Sequence, residues 1–135
     1  MGEKTMPEKS VLFIDDPTQW GYETRKLNIG GYEVSFAWSL DEANERLAVN
    51  EYDCVVVEPY DPDYDLNEHR NPLAELIRKL NHKAVVVVAS TEPKKTFDKK
   101  YGLVMGKDYR CYMEKPFRDH DAVVVTLMSL VGYYK

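Results

Sequence analysis

Val11-Leu12-Phe13-Ile14 runs straight into Asp15-Asp16, and the same pattern returns twice: Cys54-Val55-Val56-Val57 leads into Glu58, and Tyr112-Met113 into Glu114-Lys115-Pro116-Phe117. Four successive apolar residues without polar alternation are the mark of a strand covered on both faces, as in a parallel sheet flanked by helices. In such a sheet the charged residues closing each run share one edge, and open α/β sheets place their functional crevice at the carboxyl ends of the strands. Two aspartates, a glutamate and a lysine are therefore expected to converge there, with Ser90, after the run Ala84 to Ala89, as a fifth member.

Working outward from these runs, strand-like and helix-like segments alternate, which is the signature of βαβ units. The first strand spans about Ser10 to Asp15 and is central. A helix from Pro17 to Leu27 follows, with proline suited to its first turn, Trp20, Thr24 and Leu27 on one stripe, and Gly30-Gly31 as its stop. The second strand, Tyr32 to Trp38, alternates Val34, Phe36 and Trp38 with polar residues, as an edge strand does. Ser39-Leu40-Asp41-Glu42 reads as a capping box, opening a helix that buries Leu40, Ala43 and Leu47. The third strand, from Tyr52 to Val57, is followed by an irregular acidic stretch, Pro59 to Asn71. Pro72 then starts a helix with Leu73, Leu76, Ile77 and Leu80 on one face. The fourth strand is Ala84 to Ala89, and a helix with Lys94, Lys95, Lys99 and Lys100 on its surface runs from Pro93 to Tyr101. The fifth strand is about Tyr109 to Met113. The last helix, Asp121 to Gly132, holds the β-branched run Val123-Val124-Val125, which favours a strand on propensity alone. The βα count and the helical spacing of Val124, Leu127, Met128 and Val131 decide for a helix.

The bulk properties fit one domain over residues 10 to 135, preceded by a short mobile tail over 1 to 9. At 135 residues the chain can bury a real core. A composition 44% hydrophobic and 30% charged, with net charge -5, argues against disorder and against a nucleic-acid partner. No apolar stretch approaches the roughly 20 residues that span a bilayer, and Met1 to Lys9 lacks the apolar core of a signal peptide. The cytoplasm is the expected location, with no membrane partner. Asp61, Asp63, Asp65 and Asn67 are spaced like the start of a calcium loop, but Leu66 replaces its required glycine and Pro72 its bidentate glutamate. His69, His82 and His120 show no metal-ligand spacing.

Asp15-Asp16, the segment Tyr52 to Asp63, Ser90, Tyr112 and Lys115-Pro116, in this order and spacing, resemble the phosphoacceptor site of a response-regulator receiver domain, and the resemblance covers about Ser10 to Lys135. It implies a three-layer, doubly wound (βα)5 flavodoxin-like fold with a parallel five-stranded sheet in the order 2-1-3-4-5. It implies that Asp15 and Asp16, with the backbone carbonyl of Tyr60, hold a magnesium ion, which prefers oxygen ligands. Ser90 corresponds to the hydroxyl that contacts the phosphoryl group, Lys115 to the lysine that pairs with it, and Tyr112 to the aromatic switch. The Lys115-Pro116 bond matches the family's cis peptide, and only X-Pro bonds reach cis cheaply. Cys54 and Cys111 lie on strands that this order separates, so two reduced thiols and no disulfide are expected.

Glu58 stands where the family carries the aspartate that becomes phosphorylated, Thr91 where it has a small residue, and Leu66 where a loop glycine is common. A glutamate carries its carboxylate one C–C bond, about 1.5 Å, further out, and phosphoryl transfer depends on an oxygen held in line. The expectation is a stand-alone pseudo-receiver acting by protein contact. It has no catalytic residue and requires no cofactor; its Mg²⁺ site is weak or absent. Glu58 stands in for part of the phosphoryl charge by reaching Lys115. The expected partner is a histidine kinase, an effector or a second copy, docking on the face of the fourth helix, fifth strand and fifth helix, with Tyr133-Tyr134 closing that face.

Plainer readings stay open beside this one. Asp15-Asp16 reads equally as a helix N-cap plus a solvated acid, Glu58 as a simple partner for a buried lysine, Ser90 and Tyr112 as a strand-end hydroxyl and a core aromatic, and the lysines at 94, 95, 99 and 100 as a solvated face. Two other function classes are a phosphorylatable regulator with a non-standard acceptor, for which Asp53 is poorly placed at the start of its strand, and a small α/β phosphatase. The phosphatase needs an aspartate two residues after its nucleophile, where Asp15 is followed by Pro17.

Overall fold

A computed structural model describes residues 9–59 and 72–132. The expected tail before Lys9, Tyr60 and the rest of the acidic stretch to Asn71, His69, and Tyr133-Tyr134 lie outside the described residues. Five strands, β1 (Ser10–Ile14), β2 (Glu33–Ala37), β3 (Cys54–Val57), β4 (Val85–Ser90) and β5 (Cys111–Glu114), form one sheet in the order β2-β1-β3-β4-β5 with every pair parallel. Five helices connect and cover them: α1 (Gly21–Ile29), α2 (Leu40–Val49), α3 (Pro72–Leu80), α4 (Lys94–Tyr101) and α5 (His120–Val131). This is the (βα)5 flavodoxin-like arrangement that the sequence pattern implies.

The strand pleat divides the core in two. Leu12, Ile14, Val55, Val57, Val86 and Val88 face the helices α2, α3 and α4, where Ala43, Leu73, Ile77, Leu80, Phe97 and Tyr101 meet them. Val11, Phe13, Cys54, Val56, Val87 and Ala89 face α1 and α5, against Trp20, Leu27, Val123, Val124 and Leu127. Alternate residues of one strand thus serve opposite helical layers, which is why β1 and β3 show no polar alternation. Cys54 and Cys111 are both free, separated by β4. Burial pushes the Cys54 thiol up to about 12 and raises that of Cys111.

Local details depart from the sequence pattern in three places. The stretch after Asp16 is a 3-10 turn, Pro17–Trp20, and α1 begins only at Gly21. The register therefore resets: Glu23, not Thr24, joins Leu27 on the buried face. That buried carboxylate accepts a hydrogen bond from His120 of α5, and Tyr22 donates one to Asp121 beside it, tying α1 to α5. Trp38, expected inward on β2, is exposed because the strand ends at Ala37 and the chain turns into the α2 cap. There Ser39 Oγ accepts the Glu42 amide at 3.1 Å, while Glu42 reaches back to the Trp38 amide. The fifth strand starts at Cys111; Tyr109 before it forms an isolated bridge to Met105, and its buried ring is anchored by a hydroxyl that donates to Asp98 at 2.6 Å.

Candidate functional site

Register places the site. Ile14 lies opposite Val57 and Ala37, and Val57 opposite Val88, so Asp15 and Glu58 follow side by side at the carboxyl edge of β1 and β3. The Glu58 amide donates to the Ile14 carbonyl at 3.1 Å, which extends that pairing by one bond. On the other side Ser90 pairs with Glu114, and the Lys115 amide donates to the Ser90 carbonyl at 2.7 Å. The Lys115–Pro116 peptide is cis. Four apolar runs ending level with one another therefore bring Asp15, Glu58, Ser90 and Lys115 to one edge.

Lys115 is the centre of the cluster. Its ammonium donates to Asp15 Oδ2 at 2.6 Å, to Gln19 Oε1 at 2.8 Å and to Glu58 Oε2 at 3.0 Å. The three charged side chains are largely removed from water, at 8% exposure for Lys115, 5% for Asp15 and 15% for Glu58. The ammonium also lies 5.4 Å from the centroid of the Trp20 ring, within cation–π range. Two acids against one base leave the trio with a net negative charge, softened by neutral donors. Trp20 Nε1 donates to Asp15 Oδ2 at 2.7 Å, and the Asp16 amide to Asp15 Oδ1 at 2.6 Å.

Gln19 and Trp20 are the members that sequence pattern did not single out. Both sit on the 3-10 turn, whose tighter winding aims Trp20 into the α1/α5 layer and Gln19 over the lysine. Trp20 is fully buried, packed at a tilt between Phe13 at 4.6 Å and Phe117 at 5.4 Å between centroids. The signal for them was the Pro17 to Gly21 interval, which brackets a short turn ahead of the helix.

Asp16 does not join the cluster around Lys115. Its Oδ1 accepts from the Thr18 amide at 2.9 Å and the Thr18 hydroxyl at 2.8 Å, so it caps the 3-10 turn. Ser90 is buried, and its Oγ accepts the Glu92 amide at 3.0 Å. Tyr112 is half-buried, and its hydroxyl donates to the Glu92 carbonyl; burial foremost, with nearby carboxylates, raises its pKa. Asp53 lies at the far end of β3, where its carboxylate accepts the Ser10 amide at 2.8 Å.

A magnesium ion does not fit these donors as they are arranged. Both oxygens of Asp15 already accept hydrogen bonds, one of them from an ammonium that repels a dication, and one oxygen of Asp16 is spent in the cap. Among the described residues, no group of three or more His, Cys, Asp or Glu side chains is arranged to hold a metal ion. No helix there is long and apolar enough to cross a membrane.

No protein-family model and no curated protein sequence matches the chain. Solved structures do. It is similar to HP1043, an orphan response regulator of H. pylori, at 20% identity and a TM-score of 0.71 over 93% of this chain and 100% of that one. A response regulator from Thermotoga maritima matches at 21% identity and a TM-score of 0.71, covering 93% and 98% of the two chains. An atypical orphan response regulator, described as having a new phosphorylation-independent regulatory mechanism, matches at 21% identity and a TM-score of 0.67 over 93% and 97%. The fold is thus the one that response-regulator receiver domains share.

Proposed function

We propose that this chain is a receiver-like signalling module of the pseudo-receiver type, which acts by protein contact, catalyses no reaction and is not switched by ordinary aspartyl phosphorylation. One observation carries the reading. An ammonium has three N–H donors, and Asp15, Gln19 and Glu58 stand ready to receive all three of Lys115. The cation that would meet a phosphoryl group is neutralised from within. Glu58 supplies part of that neutralisation as a permanent charge, smaller than the roughly -1.5 to -2 of a phosphate. Its carboxylate stands about 1.5 Å further from the backbone than an aspartate's, so an acceptor oxygen is not held where in-line transfer needs it. The similarity to orphan regulators, one of them described as phosphorylation-independent, supports the same reading.

Magnesium is not required in this scheme and binds weakly at most. The partner is a protein, namely a histidine kinase, an effector or a second copy, met in the cytoplasm through α4, β5 and α5. That face is less basic than its lysine count suggests, because Lys94 pairs with Asp98 at 2.7 Å and Lys100 with Glu92 at 3.3 Å. Lys95 and Lys99 on α4 and Val125 on α5 remain exposed, as do Val104 and Met105 in the segment between α4 and β5.

Acetyl phosphate with Mg²⁺, followed by intact mass, tests the proposal. The wild-type chain is expected to gain no adduct of about 80 Da, the mass of one added HPO₃. A stoichiometric adduct labile to acid and base would overturn the reading. Glu58→Asp is the companion variant: it brings the carboxylate back to aspartate length, and labelling is expected to return only in part, because Asp15 keeps the donors that disfavour the metal.

A further inference from the structure

At the end of the sheet opposite the acidic cluster, α2 and α3 part over the amino-terminal ends of β3 and β4 and leave a cavity of about 360 Å³. Leu47, Val55, Leu76 and Leu80 wall it. That volume lies in the range of roughly 300 to 1,000 Å³ in which proteins enclose small organic ligands. Nothing in the acidic cluster uses this space.

Two observations say what chemistry the cavity takes. Tyr52 lines it at 8% exposure, and its hydroxyl makes no hydrogen bond among the described residues. Its oxygen is not among the fully buried polar atoms left without a partner, so the hydroxyl opens on the cavity and is placed to donate to a ligand there. Lys79 and Lys83 stand exposed at the opening and form no ion pair among the described residues. Glu51 is the carboxylate that opposes them. Beyond Lys83 a second, shallower cleft of about 500 Å³ adds His82 and Arg110 to the same end, while Asp53 beside them is engaged by the Ser10 amide. On a chain of net charge -5 this end is locally positive.

We infer that the α2–α3 cavity binds a small anionic amphiphile, with an alkyl or aryl body against the leucine walls and a carboxylate, phosphate or sulfonate head that accepts from Tyr52 and meets Lys79 and Lys83. Such a ligand satisfies the phenol, removes apolar wall from water and neutralises the two lysines. None of these needs the acidic cluster to change, so the inference stands apart from the state of Lys115.

Anilinonaphthalene sulfonate, titrated into the full folded chain and followed by fluorescence, is the first probe, with decanoate and decanol as competitors. One saturable site in the micromolar range is expected, with decanoate displacing the probe about tenfold better than decanol, a difference of about 1.4 kcal/mol. Ala48→Trp, at an exposed lining position, is expected to abolish binding by filling the opening. Lys79→Glu with Lys83→Glu is expected to weaken decanoate about tenfold and leave decanol unchanged, the scale of a few exposed ion pairs. Far-ultraviolet circular dichroism confirms that each variant is folded, and the two sets of substitutions report independently. Absence of saturable binding overturns the inference. So does binding indifferent to Ala48→Trp or to the lysine reversals. A cavity that ignores both decanoate and the probe, yet whose blockage releases a protein partner, belongs to that partner's side chain and equally overturns it.

Discussion

Glu58 Oε2 stands 3.0 Å from Lys115 Nζ, joining the ends of β3 and β5 across β4. Asp15 holds the same ammonium from β1 at 2.6 Å, so the lysine links three strands through charge. Two carboxylates this close repel each other unless the cation lies between them. The geometry makes Lys115 the member whose loss costs most.

Lys115→Met is therefore expected to destabilise the fold by about 3 kcal/mol or more, because it leaves Asp15 and Glu58 facing each other in a largely dry pocket. Glu58→Gln keeps a hydrogen-bonding side chain and leaves Asp15 to balance the lysine; a loss of about 1 kcal/mol is expected. Urea unfolding of the two variants gives the comparison. Equal losses would show that the carboxylates do not lean on the lysine as argued.

Magnesium offers a second check through Trp20, whose indole N–H is bonded to the same oxygen of Asp15 that holds the lysine. A metal ion taking that oxygen would have to displace both donors, and the indole emission would report it. The expected outcome is an emission spectrum unchanged up to millimolar Mg²⁺. A saturable change at micromolar metal would place a working ion site at Asp15 after all.

The sheet was legible because apolar runs such as Val11 to Ile14 and Cys54 to Val57 have no other comfortable home than between two helical layers. Their charged ends then fixed the neighbourhood of Asp15, Glu58, Ser90 and Lys115. Less legible was anything that depended on one residue of helical register. The 3-10 turn ahead of α1 shifts every later side chain, which carried Glu23 inward in place of Thr24 and gave Trp20 and Gln19 their places at the site. Nor could pattern decide that Asp16 would spend its carboxylate on Thr18, since an aspartate that caps a turn and one that faces a crevice look alike in sequence.

Alkaline pH tests the packing beneath the site. Burial pushes the Cys54 thiol from its usual 9.0 up to about 12. Between those values the unfolded chain has given up this proton while the native chain keeps it, so unfolding gains. The thiol's contribution is whole below about pH 9 and is lost as pH rises toward the folded value, with a limiting slope of about 1.4 kcal/mol per pH unit. Tyr109 and Tyr112, also raised chiefly by burial, act in the same direction at higher pH. Urea midpoints measured from pH 7 to 10.5 are expected to fall above pH 9, and less steeply in Cys54→Val. A thiol reagent is expected to spare Cys54 in the native state, because a buried protonated thiol is a poor nucleophile.

The partner face makes the last prediction. Most of the apolar character of α5 proves to be spent inward, on Val123, Val124 and Leu127, with Met128, Leu130 and Val131 half-covered. Val125 remains, at 53% exposure, with Val104 and Met105 exposed in the segment between α4 and β5. Single exposed apolar residues are ordinary, so a contact there is favoured by their lying on or next to α4, α5 and the edge strand β5, where α4 also carries the exposed Lys95 and Lys99. Val125→Glu and Val104→Glu are both surface changes, expected to shift unfolding by no more than about 0.5 kcal/mol. Each is expected to weaken self-association, or capture of a cognate partner, several-fold in sedimentation or pull-down measurements. Variants that associate like the wild type would move the interface to another face of the domain, with the α1 side and its exposed Ile29 the first to examine.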